Sequence, residues 1–229
     1  MSGTLRTTPP ASRRTQPAIS RTDRAPRIAS LLNSTVHTVA RHWLLLANAV
    51  MALYTALPIL APVLMARGFT QAAQFVHTCF RLFCHQLPER SFFLFGPQLT
   101  YTLGELERVI GSNVPLRYVG DPALGYKTAV CQRDLATYLA TLFAGLVFAL
   151  VRRRLRPLPV RAFVLLCAPM ALDGFGQLLM LWDSTWWSRA GSGALFGAAC
   201  VWLAYPYIEA GMTDVLHVIE KEMGKEADS

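Results

Sequence analysis

Apolar residues in this chain come in blocks, where a soluble domain would spread them at a period of 2 or 3.6. The first block runs from Trp43 to about Met65 and contains no charged residue. The second runs from Leu135 to Val151, the third from Ala162 to Trp182, and the fourth from about Gly191 to Met212. Each approaches the roughly 20 residues that cross about 30 Å of hydrocarbon at about 1.5 Å per residue. Lipid leaves backbone polar groups no outside partner, so the blocks predict spanning helices at about 43–65, 135–151, 162–182 and 191–212. Between the first two, TQAAQFVHTCFRLF repeats Phe75, Cys79, Leu82 and Phe83 at helical spacing, which predicts an interfacial amphipathic helix from Thr70 to about Phe83. Phe92, Phe93 and Phe95 read as an interfacial anchor. Residues 97–128 are mixed, with a short helical pattern in LGELERVIG and a turn at Gly120-Asp121-Pro122. The expected fold is an all-α integral membrane bundle of four transmembrane helices over 41–212, with an extracytoplasmic cap over 66–132. A disordered basic arm (1–40) precedes it, and a charged amphipathic tail (213–229) follows.

Composition agrees: of 229 residues, 53% are hydrophobic, and the mean hydropathy is positive. The net charge of +8 invites a nucleic-acid reading, but its distribution removes it. Fourteen of the 22 Lys and Arg residues fall in the N-terminal arm, in the link 152–161 and in the C-terminal tail. The other eight are spread over the long loop after the first span and at Arg189. Short basic segments stay cytoplasmic, so both termini are expected inside a cell membrane and the cap outside. The expected partners are the lipid bilayer and other membrane subunits, with no nucleic acid. Residues 1–40 lack the continuous apolar core of a cleavable signal, and Arg13-Arg14 is followed by no apolar stretch. Rich in Ser, Thr, Pro and Arg, this arm superficially resembles a transit peptide. Lying on anionic headgroups is the simpler reading.

Five cysteines are present: Cys79, Cys84, Cys131, Cys167 and Cys200. The last two lie within spans, where a small polarizable side chain is ordinary packing. Cys84-His85, in CHQLPERS, and Cys131, in CQRD, each mark a helix junction on the expected outer face. A disulfide, a metal site and unbonded packing are all open for them. Zinc would take Cys84, His85 and Cys131, with His77 or Cys79 as a fourth ligand. Asp173 sits near the middle of the third span with Gln177 on the same helix face, where a carboxylate must be paired, hydrated or protonated. Arg133, Asp134 and Arg189 are the charges nearest it in depth. Glu89 and Arg90 are placed to pair locally, and Glu209 to reach headgroups. Gly193 and Gly197 have the spacing that lets helix backbones approach closely. No phosphate loop, dinucleotide fingerprint, HExxH or nucleophile elbow is present, which counts against the enzymes built on them.

The blocks CHQLPERSFFL, CQRDLATYLA, APMALDGFGQ and DSTWWSRAGSGALFG, over about residues 77–200, resemble a family of predicted multi-pass bacterial and archaeal membrane proteins of unknown function. The resemblance marks Cys84, His85, Pro88, Arg90, Ser91, Cys131, Arg133, Tyr138, Pro169, Asp173, Gly174, Gln177, Ser184, Arg189 and Gly193. Family members often carry a second cysteine near the CQRD block; here Asp134 follows Arg133, leaving fewer sulfur ligands. The resemblance implies the architecture and supplies no mechanism. Three roles follow from the residues. One is an accessory or structural subunit whose Cys/His site is a disulfide or metal staple. The second is a thiol-redox membrane oxidoreductase, for which three outer cysteines are one short of two communicating pairs. The third is a small transporter or channel using Asp173 and Gln177.

Overall fold

The structure, a computed structural model, describes residues 21–152 and 154–227, so the disorder expected of residues 1–20 falls outside it. The chain is mostly helical: α1 (Arg21–Ala66), α2 (Thr70–Phe80), α3 (Leu103–Ile110), α4 (Gln132–Val151), α5 (Val160–Leu178) and α6 (Trp186–Ala227). Among the described residues, three stretches are long and apolar enough to cross a membrane, namely Leu32–Ala66, Gln132–Val151 and Trp186–Glu222. The expected third span is α5, which ends at Leu178 and carries Arg161, Asp173 and Gln177; it falls outside those three.

Two expected boundaries are corrected. Residues 21–40, assigned above to a disordered arm, are the opening turns of α1. The tail from Asp214 likewise continues α6 as far as Ala227. Extending a formed helix fixes one residue per hydrogen bond gained, so a long apolar helix recruits flanking polar sequence cheaply. These extensions meet, with His37 Nε2 3.8 Å from Glu220 Oε1. Glu209 does not reach for headgroups. It accepts from Trp43 Nε1 at 2.9 Å and lies 3.7 Å from Arg152 Nε.

Contacts fix the helix directions. Gly193 packs on Arg133 and Thr137, and Gly197 on Thr137 and Thr141, so α4 and α6 run parallel. Asn48 Nδ2 donates to Gly145 O at 3.2 Å, while Tyr54 and Tyr138 stack edge-on at 4.9 Å, so α1 runs antiparallel to α4. The chain must therefore return between α4 and α6. It does so along α5: Leu158 N–H donates to Trp202 O at 3.4 Å at one end, and Asp173 pairs with Arg133 at the other. One apolar cluster, Trp43, Leu44, Phe148 and Val201, lies near the link; another, including Ala61, Phe80, Cys84 and Leu135, lies under the cap.

The cap corrects the all-α expectation. It holds a three-stranded antiparallel sheet of order β1-β3-β2, from β1 (Ser91–Leu94), β2 (Gly120–Asp121) and β3 (Gly125–Cys131). Phe93 anchors no interface: with Tyr101, Leu106 and Leu124 it forms the cap's own core. Strands this short give too little period-2 pattern to separate from interfacial aromatics. The expected short helix is α3, opened by a capping box in which Thr102 and Glu105 satisfy each other's backbone N–H. The turn leads into β3, where Gly125 at φ 83 lies so close to Leu94 O and Gly96 that a Cβ would collide.

Candidate functional site

The β1–β3 pairing builds the site. Its register sets Ser91 opposite Cys131 and Phe93 opposite Lys127, which brings CHQLPERS alongside CQRD. Strand β3 runs without a loop into α4, so Cys131 becomes the residue that caps that helix. The Cys131 N–H donates to Cys84 Sγ at 3.3 Å. The two sulfurs and a carboxylate oxygen of Asp134 all lie within 4.8 Å of one another. All five cysteines are free thiols, so the disulfide option is not realised in this structure. The Cys131 thiol donates toward the Cys84 sulfur, which holds the Cys84 thiol below its ordinary range. The same bond, reinforced by burial, pushes the Cys131 thiol up, so Cys84 ionises first.

The remaining predicted ligands divide. His85 is exposed and lines the same cavity as the cysteines. His77 does not join them: its Nδ1 is 3.3 Å from Gln86 Oε1, its Nε2 is buried without a partner, and burial followed by the nearby Lys127 charge lowers its pKa to about 4. Cys79 is exposed on α2 and stands outside the cluster. The amphipathic helix ends at Phe80, short of the expected Phe83; it turns Phe75 outward and buries Ala73, Val76, His77 and Phe80, while Leu82 and Phe83 are exposed in the turn that follows.

Several residues escaped the sequence reading. Lys127, 1% exposed, donates its Nζ to Gln86 O and has its pKa lowered by burial to about 8. Gln86, at φ 56, also donates Nε2 to His77 O at 2.7 Å, which locks the CHQ corner. Gln132 is buried between Ser91 O, to which it donates at 3.1 Å, and Arg189, which donates to its Oε1 at 2.9 Å. Both glutamines stand inside the quoted blocks, and a lone lysine in the apolar run YKTAV was the available signal for the third.

Asp173 is fully engaged. Arg133 pairs with it through Nη2, Gln177 Nε2 donates to Oδ2 at 3.0 Å, Ser184 Oγ at 3.0 Å, and Ser188 Oγ reaches Oδ1 at 3.3 Å. This latch joins the cap ends of α4, α5 and α6. Glu89 and Arg90 form no ion pair among the described residues. Instead Arg90, Arg133, Arg189, Gln177, His85, Asp134 and the two cysteines surround a cavity of about 410 Å³. Gly193 and Gly197 sit where added Cβ atoms would strike the carbonyls of Arg133 and Thr137, so they set the α4–α6 spacing.

The arrangement can hold a soft metal through thiolates and a carboxylate, or exchange electrons as a dithiol. A family model described as "Predicted membrane protein (DUF2085)" matches residues 123–203. The matched stretch carries Cys131, Asp134, Asp173 and Arg189, while CHQLPERS lies outside it. No curated protein and no solved structure matches the chain.

Proposed function

We propose that the protein is a four-span membrane protein with both ends cytoplasmic. It serves as an accessory or structural subunit of a membrane assembly, and a zinc-class ion held by Cys84, Cys131 and Asp134 staples its outer cap to the bundle. The observation carrying the staple is that donors from two segments 47 residues apart converge within 4.8 Å at the point where β3 becomes α4. Thiolate sulfur suits zinc and other soft ions, and the Cys131 N–H on Cys84 Sγ is the outer-shell contact that steadies a thiolate ligand. His85, on the same cavity, is the available fourth donor. The fourth span is supported by the path of α5, which connects the link end of α4 to the cap end of α6 while Val164, Leu165, Leu172 and Phe175 face outward. The subunit role is supported by the closed latch around Asp173, which leaves that carboxylate no unpaired oxygen to offer a transported ion.

Metal analysis of the full chain purified in detergent should find about one equivalent of zinc. Cys84→Ser and Cys131→Ser should each abolish it and expose residues 97–128 to protease. Metal-free protein whose cap keeps full protease resistance in Cys84→Ser would sink the staple. The subunit role predicts that mild solubilisation yields a stable hetero-complex; recovery of the isolated chain alone counts against it.

A dithiol redox centre is the second reading, favoured by the unequal thiols. Forming the Cys84–Cys131 bond would release two protons and two electrons to a quinone-class acceptor. A crosslink that forms with added quinone and reopens on its removal under reductant would select this reading over the metal.

A further inference from the structure

The 410 Å³ cavity is lined by three arginines, Arg90, Arg133 and Arg189, and by one carboxylate, Asp134; with Asp173 behind Arg133, positive charge is still in excess. Of its three arginines, only Arg133 has a carboxylate partner among the described residues, Asp173. Arg189 donates to neutral acceptors alone: Gln132 Oε1 at 2.9 Å, Glu89 O at 3.4 Å, and Ser184 O. The Arg90 guanidinium has no hydrogen-bond or ion-pair partner among the described residues. In addition, the Nε groups of both Arg133 and Arg189 are buried with no acceptor. Buried donors on charged groups are ordinarily satisfied, and uncompensated guanidinium groups away from bulk water are unfavourable unless an anion joins them. One wall is apolar, formed by Met170 and by Phe83, which is 68% exposed beside the outward face of α2.

We propose that this cavity binds a phosphate-bearing ligand, with Arg90 and Arg189 as its principal forks and Arg133 Nε as a further donor. Guanidinium forks match phosphate oxygens two at a time. The apolar wall fits a phospholipid, whose headgroup would enter while its chains lie along α2; a free phosphate ester shares the same chemistry. The inference does not use the thiols and stands whether or not a staple is present.

The test uses the full chain in neutral detergent, with dioctanoyl phosphatidylglycerol and inorganic phosphate as separate probes, read by native mass spectrometry and by the shift in unfolding temperature. Saturable binding of the lipid without phosphate identifies a headgroup site, and binding of both identifies a phosphate site; either supports the proposal. Arg90→Gln, which removes a side chain lacking structural partners, should weaken binding about tenfold or more. Arg117→Gln, exposed on the cap, should leave it unchanged. Failure of both probes to bind overturns the proposal, as does an equal loss in the two variants, which would mean diffuse surface attraction. Retention of full affinity in Arg90→Gln overturns it as well.

Discussion

Two buried bases under the CHQ corner tie the cap's stability to pH. His77 is 1% exposed, with Gln86 on Nδ1, while the positive charges of Lys127 and Arg81 face it. Its pKa falls to about 4 from an ordinary value of 6.5, so the folded cap binds fewer protons than the unfolded chain between those limits. Stability therefore rises with pH across that window and is lost as pH drops from 6.5 toward 4, by up to about 3 kcal/mol. Proteolysis of the cap at pH 7 and at pH 5 should show the loss, and His77→Gln should flatten it. Identical digestion rates of the native protein at both values would sink the assignment. Asp173→Asn leaves the Arg133 guanidinium beside neutral partners, which destabilises by on the order of 3 kcal/mol where a pair is largely buried. Adding Arg133→Gln should restore part of that in denaturant titrations, whereas additive losses would mean that the two side chains do not act as a pair.

At the scale of elements, the α4–α6 contact depends on two missing side chains. Threonines 137 and 141 and the carbonyls behind them occupy the space where Cβ atoms of Gly193 and Gly197 would stand. Gly197→Val must push the helices apart, at a cost of about 1–3 kcal/mol or more. Gly191→Ala meets nothing within 4 Å and should be neutral or slightly stabilising, as alanine is the better helix former. Thermal unfolding in one detergent compares them directly; equal midpoints would refute the close-packing account. This seam was legible because small-residue spacing is a local pattern. The cap sheet was not, for its strands are two to seven residues long and its pairing joins Ser91 to Cys131 across 40 positions. The same gap separated the halves of the site. CHQLPERS and CQRD could be marked as candidates, but the strand register that unites them has no local signature. Lys127 looked like one more surface cation because the sequence gives no sign that both faces of β3 are covered.

For the whole molecule, the decisive quantity is the number of crossings, since it fixes which face carries the cysteines and the arginine cavity. Three helices among the described residues qualify by length and composition, and an odd number would leave the two chain ends on opposite sides. The packing argues for an even number. With α4 and α6 parallel, a chain leaving α4 at Val151 must regain the level of Arg133 before α6 begins, and α5 covers that distance with apolar side chains turned outward. Its polar residues do not oppose this, because Asp173 pairs with Arg133 of α4 and accepts from Gln177 inside the bundle. Single cysteines at residues 99, 156 and 229, in a background without Cys79, probe the arrangement with a membrane-impermeant maleimide on intact cells. Residue 99 should label, while 156 and 229 should label only after permeabilisation, which also puts the arginine-rich link on the side that basic loops prefer. Labelling of 99 and 229 together on intact cells would leave α5 outside the bilayer and give three crossings. The Cys84–Cys131 cluster would then need a different account of how its helices are held.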